Sequence, residues 1–68
     1  MEYKITDIGT NKELTYEDLA LLLYKEGASI IYCDIEGIAQ IDDTFYLLDE
    51  CGQWCYIDTD RFKLEAIK

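Results

Sequence analysis

Phe45-Tyr46-Leu47-Leu48-Asp49-Glu50-Cys51-Gly52-Gln53-Trp54-Cys55-Tyr56-Ile57 reads as two strands around a tight turn. Asp-x-x-Gly suits a type I turn followed by a glycine in the left-handed conformation, which closes a three-residue hairpin loop with a bulge. A loop at Glu50-Cys51-Gly52 sets Asp49 opposite Gln53, Leu48 opposite Trp54, Leu47 opposite Cys55, Tyr46 opposite Tyr56 and Phe45 opposite Ile57. Directly opposite residues share a face of a sheet. One face therefore carries Phe45, Leu47, Cys55 and Ile57, and the other Tyr46, Leu48, Trp54 and Tyr56. A two-residue turn would mix the sets, so the sorting itself selects the bulged turn.

Asp34-Ile35-Glu36-Gly37 repeats the Asp-x-x-Gly pattern 15 residues earlier and predicts a second such turn. With a three-residue loop at Asp42-Asp43-Thr44 as well, strands fall near 29–34, 37–41, 45–49 and 53–58, and a last one near 62–67. The aliphatic face then reads Ile31, Cys33, Ala39, Ile41, Phe45, Leu47, Cys55 and Ile57, the expected core. The other face reads Ile30, Tyr32, Ile38, Gln40, Tyr46, Leu48, Trp54 and Tyr56.

Toward the N-terminus the period changes. Residues 2–8 alternate as a strand, with Tyr3 and Ile5 against Lys4 and Thr6. After a turn at Gly9-Thr10-Asn11-Lys12, Thr15 and Asp18 form a capping-box start, and Leu14 and Leu19 have the spacing of a hydrophobic staple. Gly27 is a natural C-terminal stop. The helix is expected over about 16–26, with Tyr16, Leu19, Leu22, Leu23 and Glu26 on one side. The fold class is α+β: an N-terminal strand, one α-helix, then an antiparallel β-meander of four to five short strands. An alternative in which the meander curls partway into an SH3-like barrel stays open. The 68 residues are expected to form one domain, with a core too small for a wide stability margin.

The formal charge of −9 has a single source. Residues 26–60 contain nine acids and no Lys or Arg, while the rest of the chain balances six acids with six bases. Such a surface repels nucleic acid and anionic membranes and favours a basic protein partner. The N-terminus lacks a basic region followed by an apolar run, and the longest apolar run, Leu19–Tyr24, is too short to span a bilayer. A cytoplasmic location is expected, with the three cysteines reduced.

No chemistry-bearing constellation competes with this reading. The chain has no His, so a zinc site would need Cys33, Cys51 and Cys55 plus an acid. Asp58-Thr59-Asp60 lacks the later ligands of a calcium loop and reads as a turn. There is no nucleophile–His–acid set and no phosphate-binding glycine loop. Neither a metal, a cofactor nor an enzymatic activity is expected.

The profile of small size, strong acidity and clustered aromatics is similar to that of small acidic phage-encoded inhibitors of host enzymes, such as uracil-DNA glycosylase inhibitors and anti-CRISPR proteins. The similarity covers size, charge and aromatic content, and no motif aligns. It implies an inhibitor that imitates nucleic acid, acting in the host cytoplasm, with carboxylates standing in for phosphates. The partner-binding residues expected from the aromatic sheet face and the acid-rich turns, and not from the resemblance, are Tyr32, Tyr46, Trp54 and Tyr56, with Asp42, Asp43, Asp49, Glu50, Asp58 and Asp60 around them. The competing expectation is a structural or assembly protein that homodimerises through its surplus apolar surface.

Overall fold

A computed structural model describes residues 2–67. The expected N-terminal strand is β1, Glu2–Asp7, and a short β2, Lys12–Leu14, turns back along it. The helix α1 runs Tyr16–Lys25. Then come β3, Ile35–Ile41, β4, Thr44–Asp49, β5, Trp54–Ile57, and β6, Phe62–Ile67. The result is an α+β fold with two three-stranded antiparallel sheets, ordered β2-β1-β6 and β3-β4-β5.

The helix starts as its sequence dictates. The Thr15 side chain accepts from the Asp18 N–H at 3.1 Å, and the Asp18 carboxylate accepts from the Thr15 N–H at 3.3 Å. Aspartate thus fills the place that glutamate usually holds in a capping box. At the other end Gly27 is left-handed at φ 101°. Its N–H donates to the Tyr24 carbonyl and the Ala28 N–H to the Leu23 carbonyl, each at 3.0 Å. These are the two bonds of a Schellman motif.

The β4–β5 hairpin has the register the sequence predicts, Phe45 to Ile57 through Leu48 to Trp54. Gly52 closes it in the left-handed conformation at φ 84°. The earlier half of the expected meander differs. Asp34-Ile35-Glu36-Gly37 is not a hairpin turn: β3 begins at Ile35 and continues past Gly37, with a bulge between Ile35 and Gly37. The β3–β4 connection is the two-residue Asp42-Asp43, pairing Ile41 with Thr44. One residue fewer in that loop swaps every side chain of β3 to the other face. Ile38 therefore joins Leu47 on the core side, while Ala39 and the exposed Ile41 lie on the outer side with Tyr46.

The strand expected near 29–34 does not form, because its backbone groups are engaged elsewhere. Ala28 closes the helix, the Ile30 N–H donates to the Ala28 carbonyl, and the Asp34 N–H donates to the Ile31 carbonyl. The Ile31 N–H donates to the Asp49 carboxylate. Ile30 drops into the core, whereas Ile31 is half-buried and Cys33 is exposed, contrary to their expected place on the aliphatic face. The last strand also changes partner: β6 pairs with β1 along Glu2–Asp7 instead of extending the meander beside β5. No ladder joins the two sheets among the described residues, so the strands do not close hydrogen bond by hydrogen bond into a barrel.

The core collects Ile5, Leu19, Ala20, Leu23, Ile30, Leu47, Ile57 and Phe62 from both sheets, the helix and the 28–34 segment. Tyr16 anchors the helix to β1, its hydroxyl accepting from the Tyr3 N–H at 2.8 Å. Burial of this apolar set supplies the main driving force for folding.

Candidate protein-binding surface

The outer face of β3-β4-β5 follows from the observed registers. Rows run Ala39, Tyr46, Tyr56 and then Gly37, Leu48, Trp54, with Ile41 at the end. Gly37 contributes no side chain to its row, and the space where its Cβ would stand is open. Tyr46 is half-buried at the centre. Its ring meets Trp54 edge-on at 5.5 Å between centroids and Tyr56 at 6.4 Å. Aromatic pairs in this geometry hold one another in place. Trp54 and Tyr56 nevertheless remain 52% and 57% exposed, and Ile41 48%. Three rings and an isoleucine thus form one exposed patch on a rigid hairpin, the kind of surface that marks interaction sites.

Acids border the patch. Asp42 and Asp43 form the β3–β4 turn, with Asp42 at φ 55°. Glu50 lies in the β4–β5 turn, and Asp58 and Asp60 follow β5. Asp58 also shapes its own corner: its carboxylate accepts from the Asp60 N–H at 2.9 Å, and its carbonyl from the Arg61 and Phe62 N–H groups. The ion pairs among the described residues are Lys4–Glu13, Glu26–Arg61 and Lys63–Glu65, so none neutralises an acid between Asp34 and Asp60. Among the described residues, Glu26 is the one acid of the 26–60 stretch with a countercharge. Arg61 grips it with two hydrogen bonds of 2.8 and 2.6 Å, which hold its carboxyl below the usual range.

Two expected site residues lie elsewhere. Asp49 is 1% exposed and its carboxylate faces inward. Oδ2 accepts from the Ile31 N–H at 3.0 Å, and Oδ1 from the Cys51 and Gln53 N–H groups at 2.9 Å. The Ile31 bond, reinforced by those of the hairpin turn, lowers its pKa. Asp49 is therefore an internal clasp between the 28–34 segment and the turn, and offers no charge to a partner. The Asx-turn half of that clasp is implicit in Asp-x-x-Gly, but the Ile31 half is non-local and has no sequence signal. Tyr32 leaves the sheet face because its segment is not a strand, and it packs on Tyr24 of α1 at 4.8 Å.

The thiols form no centre. Cys33 and Cys51 are exposed and Cys55 is half-buried, all free. Burial, then the nearby Glu26 charge, raises the Cys55 pKa, which disfavours the reactive thiolate. Among the described residues no three His, Cys, Asp or Glu side chains converge to hold a metal ion. No helix among them is long and apolar enough to cross a membrane. Two shallow hollows among the described residues, one at Ile8, Phe45 and Leu64 and one at Leu14, Leu21 and Leu22, lie apart from the aromatic patch. The chain has no match among family models, curated proteins or solved structures.

Proposed function

We propose that this chain is a protein-binding module that occupies a basic, nucleic-acid-binding protein and inhibits it by taking the place of nucleic acid. The observation that carries the reading is the outer face of β3-β4-β5: Tyr46, Trp54, Tyr56 and Ile41 lie between turns bearing Asp42, Asp43, Glu50, Asp58 and Asp60, none of them in an ion pair among the described residues. The acids steer a basic surface onto the patch and the rings slow its departure. Tyr32 and Asp49 have no part in this surface.

The test is capture from a nuclease-treated lysate at low salt, with the retained protein identified and challenged with duplex DNA and with RNA. The expected result is a basic protein that nucleic acid displaces and whose own nucleic-acid binding the chain blocks. A retained protein that still binds nucleic acid normally would overturn the inhibitor reading. Light scattering across a salt series addresses the homodimer alternative. Screening strengthens contact between two acidic chains and weakens contact with a basic partner. A dimer that tightens with salt, with no basic partner captured, would replace the proposal.

A further inference from the structure

Asp49 donates its N–H to the Gln53 carbonyl at 3.1 Å, so residues 49 and 53 are a singly hydrogen-bonded pair at the bulged turn, just beyond the ladder that ends at Leu48 and Trp54. Such pairs alternate with non-bonded ones. Leu47 with Cys55 and Phe45 with Ile57 are then bonded, while Leu48 with Trp54 and Tyr46 with Tyr56 are not. The backbone N–H and C=O groups of Trp54 and Tyr56 consequently point away from β4. β5 is the last strand of its sheet. Among the described residues the contact made to these groups is a weak one, from the Cys55 thiol to the Tyr56 carbonyl at 3.7 Å. The same two residues thus present aromatic rings on the face and unpaired backbone groups on the edge.

The other edges carry the devices that discourage strand addition. β2 bears Lys12 and Glu13, β6 bears the Lys63–Glu65 pair, and β3 packs beside α1 and β1. β5, Trp-Cys-Tyr-Ile, has no charge, no proline and no bulge. It is bounded by Glu50 before it and by Asp58 and Asp60 after it.

We propose that an extended segment of the basic partner adds as a strand beside β5, exchanging hydrogen bonds with Trp54 and Tyr56 and placing a basic side chain near each acidic end. This rests on the docking reading above and specifies its geometry. Main-chain bonds give such a complex its affinity, and alternate side chains give it specificity. At about 3.3 Å per residue, a segment spanning β5 sets its basic residues roughly five positions apart. The acidity of both ends disfavours a second copy of this chain in that place.

The probe is an acetylated and amidated hexapeptide, Arg-Val-Thr-Val-Thr-Arg, titrated into the protein and followed by amide NMR. The expected result is that the Trp54 and Tyr56 amides shift most and exchange with solvent at least about tenfold more slowly, whereas Cys55 and Ile57 are protected throughout. The peptide with both arginines replaced by glutamate should not bind. No binding of the basic peptide, or binding without slowed exchange at Trp54 and Tyr56, would overturn the proposal. A second arm uses protein ligated at Cys51 with a backbone N-methyl group on Tyr56, which keeps the ring and charge but removes one edge donor. It should fold unchanged and lose about tenfold or more in affinity for the captured basic protein. If Trp54→Ala with Tyr56→Ala abolishes capture and N-methylation does not, the edge is excluded and the face reading stands. If neither change weakens capture, the face reading falls as well.

Discussion

Removing the buried Asp49 carboxylate would take the acceptor from the part-buried N–H groups of Ile31, Cys51 and Gln53 together. Buried donors without acceptors are strongly destabilising, and bonds to a charged acceptor are among the stronger ones. Asp49→Ala should lower Tm by at least about 8 °C in thermal unfolding. Asp49→Asn should also destabilise, because one carboxylate oxygen becomes an amide donor. The pH dependence has a definite sign. The folded-state pKa lies below the ordinary value of 3.8, so the stabilisation is complete above that pH and is lost as pH falls through the folded value. The stability advantage of the wild type over Asp49→Asn, measured by urea unfolding, should therefore shrink from pH 7 to pH 3. Glu26–Arg61 is different in kind. Both side chains are more than 40% exposed, and solvent screens the pair despite its bidentate geometry. Arg61→Gln should move Tm by less than about 3 °C.

At the scale of elements, the parts legible in the sequence are those whose signals are local. Thr15, Asp18 and Gly27 delimit α1 through bonds that span five residues or fewer. Asp49 and Gly52 fix the β4–β5 register in the same way. Thr15→Ala should therefore destabilise by about 1 kcal/mol, and Gly52→Ala by roughly 1–2 kcal/mol from its left-handed backbone. Urea unfolding would measure both. The failures are non-local. Residues 28–34 alternate like a strand, but no neighbouring strand is left for them once Asp49 holds Ile31. The repeated Asp-x-x-Gly at 34–37 is overridden because the two-residue Asp42-Asp43 turn carries β3 back along β4 as far as Asp49. Pattern alone favoured the longer loop, since it puts Ile41 inside and Gln40 outside. Gln40 tolerates the observed register because it sits at the exposed sheet end, where its amide donates to the Asp42 carbonyl at 3.1 Å. Of the candidate surface, Tyr46, Trp54 and Tyr56 were legible because they lie on the one locally specified hairpin. The positions of Tyr32, exposed beside Tyr24, and of Asp49, buried against Ile31, are not legible because their surroundings come from elsewhere in the chain.

Across the whole molecule, the two faces of one hairpin are expected to respond oppositely to substitution. Leu47 is fully buried among the small set of core residues. Leu47→Ala should cost about 2–5 kcal/mol, a large part of the stability of a chain this short, and should unfold much of it. Trp54 and Tyr56, one position along on the opposite face, are about half exposed, and truncating them removes the edge-on contacts to Tyr46 but should leave the protein folded by circular dichroism, with a smaller loss of Tm than Leu47→Ala causes. Their removal is instead expected to strip the acidic surface of its short-range contacts while the net charge of −9 is unchanged. Charge alone gives fast encounter but little residence time. The measurement that bears most directly on the docking surface is therefore capture by immobilised wild type beside immobilised Trp54→Ala, Tyr56→Ala protein of verified fold, from the same nuclease-treated lysate. Retention of a basic nucleic-acid-binding protein on the wild type, its displacement by duplex DNA or RNA, and its absence from the double variant is the predicted result. Equal retention by the double variant, or the absence of any basic protein from both, would contradict it.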